Sequence, residues 1–262
     1  MTVRVSHNKS AGTSMADLLD VPQETRLTII LEALEKIGKT TTALTAADPI
    51  AYFDLAHGGR GALRRARAKG KRIIYGDYYY EPPLGLANEA SIFRKVAEEA
   101  RPIWKRFRLD YMAQLKNPKV RTLVIDDASI EWKLKRYAAF GRLQKILPVM
   151  YAPVNAELMG MVLAAQRSDK NVIYIHRLEP EWSKPVKGES VGSPTGRLIR
   201  QGWKEMGYEA DAAVRLEKDD GERTAMITNT RYVGEDEVLT GKQVRMSRIF
   251  ATIMGNSPKD WL

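Results

Sequence analysis

The triplet Gly38-Lys39-Thr40 stands between an apolar run, Leu27–Leu31, and a stretch of small residues. A second apolar run follows and ends on Asp54, so the order of segments predicts strand, loop, helix and strand. In that setting the loop N–H groups and the lysine hold phosphate oxygens, and the hydroxyl ligates Mg²⁺. The triplet therefore predicts a phosphate-binding loop for a nucleotide, with an ordinary helix start as the alternative.

The loop departs from the full pattern G-x-x-x-x-G-K-[ST] at its first position, which is Ala33. Alanine fits that position if its φ stays negative. We assign Lys39 to the β- and γ-phosphates of ATP and Thr40 to Mg²⁺. The predicted nucleotide-binding residues are Ala33, Leu34, Glu35, Lys36, Ile37, Gly38, Lys39, Thr40 and Thr41.

A second acidic element follows the apolar segment Thr122-Leu-Val-Ile. Such a run predicts a buried parallel strand, and Asp126 then lies at the carboxyl edge of the sheet, where ligands bind. We predict that Asp126 holds Mg²⁺, directly or through water, together with Thr40. Asp127 has two interpretations: it polarises a water, or it caps the following helix.

Composition narrows the class of protein. The chain has 262 residues, 44% of them hydrophobic, which suffices for one large α/β domain. It has no run of 18 apolar residues and no apolar secretory segment near its N-terminus. The absence of cysteine excludes disulfides and thiolate metal sites and fits a cytoplasmic location. Only three histidines are present, which argues against a histidine-rich metal site.

Positive charge is the most unusual property of the composition. The net charge is +10 and the isoelectric point about 9.6, which indicates a polyanionic partner or simply a basic surface. The cations cluster in two groups. The first comprises Arg60, Arg64, Arg65, Arg67, Lys69, Lys71 and Arg72, and the second Lys184, Lys187, Arg197, Arg200 and Lys204.

The rest of the chain predicts one domain over residues 23–262, preceded by a flexible arm over residues 1–22. An oligomerisation element is one interpretation of the arm, although nothing in its sequence specifies that role. Helical periodicity over 88–115 is interrupted by Pro102, which should kink or split the helix. We expect a long mobile loop over 177–194, a helix over 195–206, a hairpin around 218–221 and a C-terminal helix over 244–254. This pattern predicts a mostly parallel central sheet, flanked by helices, with antiparallel strands at one edge.

Five segments occur in an order that resembles the RecA-like P-loop ATPases. They are IGKTTTALTA, PIAYFDLAHGG, LVIDDAS, VIYIHRLEPEW and GWKEMGYEADAAVRLE, and they span about residues 27–232. Within that group the chain looks closest to phage-encoded, single-domain nucleotide-binding proteins of recombination and single-strand annealing. The resemblance implies a RecA-like core, ATP and Mg²⁺ as ligands, and the cytoplasm of a host bacterium as the location.

The resemblance also implies a DNA-binding region. His176 stands where these proteins carry a polar sensor, although a structural histidine is the alternative. Residues 177–194 fall where their second DNA-binding loop belongs, with Trp182 placed either to stack on a base or to pin the loop. The predicted contacts to single-stranded DNA are Arg64, Arg65, Arg67, Trp182, Lys184, Lys187 and Arg197.

One position departs from the family pattern. The strand after the phosphate loop of RecA-like enzymes ends in Asp-x-Glu, and the Glu orients the attacking water. Here the Glu position is Ala56. Either Asp54 or His57 substitutes, or Asp127 positions the water, or hydrolysis is slow. We therefore expect weak, DNA-stimulated hydrolysis, with catalytic roles assigned to Lys39, Asp54, Asp126, Asp127 and His176.

The resemblance further implies a homo-oligomer, ring or filament, in which a neighbour supplies a cation to the γ-phosphate. Arg231 and Lys242 are the candidates for that role, with an ordinary surface role as the alternative. A single-strand DNA-binding protein is a further partner in this interpretation. Competing hypotheses are a DNA motor or loader, a scaffold that ATP stabilises without turnover, and a small-molecule kinase.

Overall fold

The computed structural model describes residues 26–83, 90–142, 146–184 and 191–261. The predicted arm over residues 1–22 and the candidate DNA contact Lys187 lie outside these ranges. The strands, in chain order, are β1 (Thr28–Ala33), β2 (Ile50–Asp54), β3 (Ile73–Asp77), β4 (Thr122–Asp126), β5 (Asn171–Trp182), β6 (Pro194–Arg200), β7 (Ala212–Asp219), β8 (Glu222–Thr230) and β9 (Val238–Thr240). The helices are α1 (Lys39–Ala43), α2 (Arg60–Ala68), α3 (Ala90–Leu115), α4 (Ala128–Phe140), α5 (Ala152–Gln166), α6 (Met206–Glu209) and α7 (Met246–Met254).

The strands form one sheet in the order β3-β2-β4-β5-β1-β7-β8-β9, and β6 pairs with the outer part of β5. Neighbouring strands from β3 to β7 are parallel, whereas β8 and β9 pair antiparallel at one edge. The predicted architecture, a mostly parallel sheet with antiparallel strands at one edge, is confirmed. The strand that precedes the phosphate loop, β1, lies inside the sheet between β5 and β7.

Helices cover both faces of the sheet, which is why the inner strands β1, β2 and β4 are buried at every position rather than at alternate ones. On one face, α1, α2 and α7 pack their apolar residues against Ile29, Leu31 and Tyr52. On the other face, α3, α4 and α5 pack against Ile30 and Phe53. Tyr52 and Phe53 therefore face opposite layers, as the alternation of side chains along a strand requires.

Two predicted elements are wrong. The loop expected to begin at residue 177 is instead strand β5 as far as Trp182, and the helix expected over 195–206 is instead strand β6 as far as Arg200. The reason is tertiary: β5 and β6 pair antiparallel, with Leu178 opposite Arg200. Long-range pairing of this kind overrides local propensity.

Helix α3 is continuous from Ala90 to Leu115 and contains Pro102, so the predicted split does not occur. The hairpin β7–β8 and the C-terminal helix α7 agree with the predictions. None of the helices described above combines the length and apolarity that crossing a bilayer requires.

Candidate nucleotide site

The carboxyl ends of the parallel strands bring the predicted site residues to one edge of the sheet. Asp54 at the end of β2 is in register with Asp126 at the end of β4 and with Asp77 at the end of β3. The phosphate loop begins at the same edge, directly after Ala33 at the end of β1. Ligands of parallel α/β sheets bind at this edge.

The phosphate loop makes a sharp turn before it enters α1. Lys36 and Gly38 both have positive φ, of 63° and 108°. Lys39 opens the helix, and its Nζ donates hydrogen bonds to the carbonyl oxygens of Ala33 at 2.9 Å and Leu34 at 2.8 Å. Burial lowers the pKa of Lys39, while Asp127 and Asp126 oppose that shift. The ammonium group is thus folded into the loop, beside both aspartates.

The magnesium candidates are in direct contact. Thr40 Oγ1 donates to Asp126 Oδ2 at 2.6 Å, and the Tyr52 hydroxyl donates to the same oxygen at 2.5 Å. Burial raises the pKa of Asp126 to about 6, against the two hydrogen bonds, which lower it. One carboxylate and one hydroxyl, completed by phosphate oxygens, form the kind of site that Mg²⁺ prefers. These residues therefore fit the ion.

Asp127 takes part in two contacts next to this pair. It is the N-cap of α4, and its Oδ1 accepts from the backbone N–H of Ser129 at 2.8 Å. Its Oδ2 accepts from the Nε of Arg177, whose Nη1 lies 3.5 Å from Glu35 in the phosphate loop. Asp127 thus occupies the capping position, and Arg177 connects α4 to the loop.

These groups surround a cavity of about 410 Å³. Four cations line it: Lys36, Lys39, Arg65 and Arg177. The full lining is Glu35, Lys36, Gly38, Lys39, Thr40, Thr41, Ala56, Gly58, Gly61, Ala62, Arg65, Asp126, Asp127 and Arg177. The cations and the loop N–H groups at a helix start suit a polyphosphate.

Asp54 and His57 are held away from the cavity. Asp54 is fully buried, and its carboxylate accepts from the backbone N–H groups of Ala56 and His57 and from the Tyr75 hydroxyl. The His57 ring binds both carboxylate oxygens of Asp77 at 2.9 Å and stacks on Tyr79. Ala56 itself lines the cavity at the position where the family pattern has Glu.

His176 is buried beside the base of the β5–β6 hairpin. Its Nδ1 lies 3.0 Å from the carbonyl oxygen of Gln201, and its Nε2 has no hydrogen-bond partner within the described part of the chain. Burial, and then Arg200, lower its pKa to about 4, so the imidazole is neutral at physiological pH. In the sheet it pairs in register with Glu32, one residue before the phosphate loop.

The predicted DNA contacts fall on two elements. Arg64, Arg65 and Arg67 lie on α2, where Arg65 lines the nucleotide cavity and the other two line a separate groove. Trp182, Lys184 and Arg197 are exposed on the β5–β6 hairpin. The two candidate in-trans cations are exposed as well, and the Nη2 of Arg231 donates to the carbonyl oxygen of Tyr208.

Sequence reasoning missed three residues of the site: Tyr52, Arg177 and Arg223. Arg223 of β8 packs against Gly38, and its Nη1 is 3.5 Å from Thr42 Oγ1. Arg177 could have been predicted, because it directly follows His176, the predicted sensor. Nothing local marks Tyr52 or Arg223, because both reach the site through sheet pairing.

The raised pKa of Asp126 predicts a pH dependence of magnesium binding. Mg²⁺ needs the ionised carboxylate, so the Mg²⁺-dependent gain in ATP affinity should fall about tenfold per pH unit below about 6. Calorimetric titrations of ATP across pH, with and without Mg²⁺, measure this gain. In Asp126→Asn the pH dependence should shrink to that of the ATP phosphates. A gain that is flat in the wild type between pH 5 and 7 would contradict this role of Asp126.

Gly59 predicts a second effect, because it lies directly on Tyr52. A Cβ at Gly59 would stand 2.1 Å from the Tyr52 hydroxyl, whereas a Cβ at the neighbouring Gly58 meets nothing within 4 Å. We expect Gly59→Ala to cost about 1–3 kcal/mol of stability and to weaken Mg–ATP binding by displacing Tyr52 from Asp126. Urea unfolding and calorimetry measure the two effects.

The matched control is Gly58→Ala, for which we expect a change within about 0.5 kcal/mol. In a Tyr52→Phe background the cost of Gly59→Ala should be smaller, since the nearest atom is gone. Equal effects of the two alanine substitutions would show that contact with Tyr52 is unimportant.

Comparisons with known proteins give a fold-level likeness. No model of a known protein family matches the sequence, and no curated protein matches it significantly. Among solved structures, the crystal structure of the RadB recombinase is similar: 16% identity, 82% of this chain and 86% of that chain covered, and a TM-score of 0.49. At this identity and TM-score, function cannot be transferred from that protein.

Proposed function

We propose that the chain is a RecA-like ATPase that binds Mg–ATP in the cavity beside Lys39 and acts on single-stranded DNA in recombination or strand annealing. The observation that carries the nucleotide site is the 2.6 Å contact between Thr40 and Asp126, beside Lys39. A phosphate loop, a hydroxyl and a strand-end carboxylate converge there, which is the set of groups that binds a nucleoside triphosphate with Mg²⁺.

Each residue of the site has a distinct role in binding Mg–ATP. Lys39 and the loop N–H groups bind the β- and γ-phosphates, and Thr40 and Asp126 hold the ion. When bound, Mg²⁺ neutralises negative charge on the phosphate oxygens. Arg65 and Arg177 line the same cavity and add positive charge near the phosphates. Position 56 is alanine, and Asp127 already binds Ser129 and Arg177, so neither position supplies a carboxylate that is free to orient water, and turnover is slow.

The net charge of +10 and the exposed arginines of α2 and the β5–β6 hairpin support DNA as the partner. Phosphate contacts supply affinity that falls steeply with salt, and stacking supplies little sequence preference. In an oligomer, Arg231 or Lys242 of a neighbouring copy would complete the charge around the γ-phosphate. A phage origin and a single-strand DNA-binding partner belong to the same proposal and rest on the resemblance.

ATP hydrolysis measured with and without single-stranded DNA tests this function. We expect slow turnover that single-stranded DNA accelerates and that Asp126→Asn abolishes. Turnover that is fast without DNA would favour a motor or loader instead.

Ala56 at the cavity wall favours a second candidate, a scaffold that ATP stabilises without consuming it. Bound ATP would then raise the melting temperature with ATP concentration. In that case hydrolysis stays at background whether or not DNA is added, and this result would replace the first proposal.

A further inference from the structure

A groove separate from the nucleotide cavity runs between α2 and the edge strand β3. Its volume is about 480 Å³, and its lining is Arg60, Leu63, Arg64, Arg67, Tyr75 and Asp77. The three arginines recur at intervals of four and three residues, so they form one stripe along α2. Leu63 is buried against the sheet and fixes the orientation of that stripe.

The charge of the groove suits an anion. Three guanidinium groups face one carboxylate, Asp77, which leaves a net charge of +2 among the lining residues (three minus one). The carboxylate of Asp77 is itself engaged, because the His57 ring binds both of its oxygens at 2.9 Å. Arg67 donates one N–H to the carbonyl oxygen of Ile73 at 3.4 Å. Each guanidinium group has five N–H donors in a planar fork that suits phosphate, so donors remain for phosphate groups.

Tyr75 gives the groove an aromatic wall. Its side chain is 39% exposed, yet it is held in place: the hydroxyl donates to Asp54 at 3.0 Å, and the ring lies parallel to that of Tyr52 at 6.3 Å. A ring fixed in this way loses little entropy when a base stacks on it. The His57 ring, which binds Asp77 of the groove lining, stacks on Tyr79.

Helix α2 and Tyr52 separate this groove from the nucleotide cavity. Arg65 lines the cavity, whereas Arg64 and Arg67 line the groove. Tyr52 stacks beside Tyr75 and donates its hydroxyl to Asp126 at the magnesium site. A ligand in either place therefore contacts an element that also borders the other.

We propose that the groove between α2 and β3 binds single-stranded DNA, with a base stacked on Tyr75 and adjacent phosphates held by Arg64 and Arg67. This inference rests on the proposed function and assigns its DNA site to a groove rather than to the β5–β6 hairpin alone. A fixed aromatic ring beside arginines is the arrangement that binds single strands without sequence preference. An acidic peptide would use the arginines but not the ring.

Photo-crosslinking locates the strand directly. The probe is a fluorescein-labelled oligothymidine that carries 5-iododeoxyuridine at one position. It is bound to the wild-type protein in the presence of ATP and Mg²⁺ and irradiated, and mass spectrometry then identifies the crosslinked residue. We expect the crosslink at Tyr75. A crosslink confined to Trp182 or its neighbours on the hairpin would overturn the proposal.

Fluorescence anisotropy with the same oligonucleotide measures the contribution of each residue. Tyr75→Leu should weaken binding about tenfold, the effect of one stacked base, whereas Tyr75→Phe should stay within about threefold of wild type. Arg64→Ala with Arg67→Ala should weaken binding and lower its salt dependence. The charge-matched control is Arg167→Ala, an exposed arginine at the end of α5, which should leave binding unchanged.

Two failures are distinguishable. Unchanged binding in Tyr75→Leu and the double arginine variant, with loss in Arg197→Ala, would overturn the groove and leave the proposed function standing. No binding by the wild type at low salt would overturn the proposed function, and the groove with it. Thermal unfolding of each variant confirms that a loss of binding does not reflect a loss of fold.

Discussion

Glu32→Gln is expected to lower the free energy of unfolding by about 3 kcal/mol. Glu32 is 3% exposed in β1, and its carboxylate binds two arginines: Arg200 at 3.0 Å and Arg215 at 2.7 Å. Glutamine of the same size keeps one acceptor but turns an amide N–H₂ toward a guanidinium group. Two cations are then left poorly paired at a buried position, which is the costly way to break an ion pair.

Urea unfolding with an unchanged m-value measures this loss. The control is Glu35→Gln, three residues along the chain, where the carboxylate is 73% exposed and lies 3.5 Å from Arg177. An exposed pair of that kind contributes about 0–1 kcal/mol. If both variants unfold at nearly the same urea concentration, the contacts of Glu32 do not stabilise the fold.

Lys39→Ala is expected to weaken Mg–ATP binding by about 100-fold, since charge-assisted hydrogen bonds are worth about 1.5–3 kcal/mol. The ammonium group already lies at the loop, bound to the carbonyls of Ala33 and Leu34, so binding phosphate requires only that it exchange acceptors. Isothermal titration calorimetry with ATP and Mg²⁺ measures the affinity.

Lys116→Ala serves as the charge-matched control, because Lys116 is exposed just beyond the end of α3. Its affinity for ATP should equal that of the wild type. If the Lys39→Ala protein binds ATP as tightly as the control variant, Lys39 does not contribute to ATP binding, and the assignment of the phosphate loop is contradicted.

The sequence predicts the parallel core because β1, β2, β4 and the first part of β5 each contain a run of apolar residues, Val172–Ile175 in β5. Such runs are typical of strands that are covered on both faces of a sheet. It places Asp126 at the sheet edge for the same reason. The β5–β6 hairpin was not predictable in this way. Its prolines and glycines resemble a loop, and only pairing across the hairpin makes β6 a strand.

The residues of the candidate site fall into the same two groups, those that local sequence predicts and those that depend on pairing between strands. Lys39, Thr40 and Asp126 follow from motifs, since each belongs to a short segment of fixed order. Tyr52 and Glu32 do not, because their roles depend on register with strands far away in sequence: Tyr52 lies opposite Tyr75, and Glu32 lies between Arg215 and His176. Contacts set by sheet register leave no local pattern.

Single-stranded DNA binding with and without Mg–ATP, measured by anisotropy on wild type and Lys39→Ala, tests the central claim most directly. The nucleotide cavity and the proposed DNA groove both border α2, and Tyr52 binds Asp126 of the cavity and stacks on Tyr75 of the groove. We therefore predict that Mg–ATP strengthens DNA binding in the wild type and has no effect in Lys39→Ala. DNA binding that is the same with and without Mg–ATP in both proteins would contradict the coupling of the two sites.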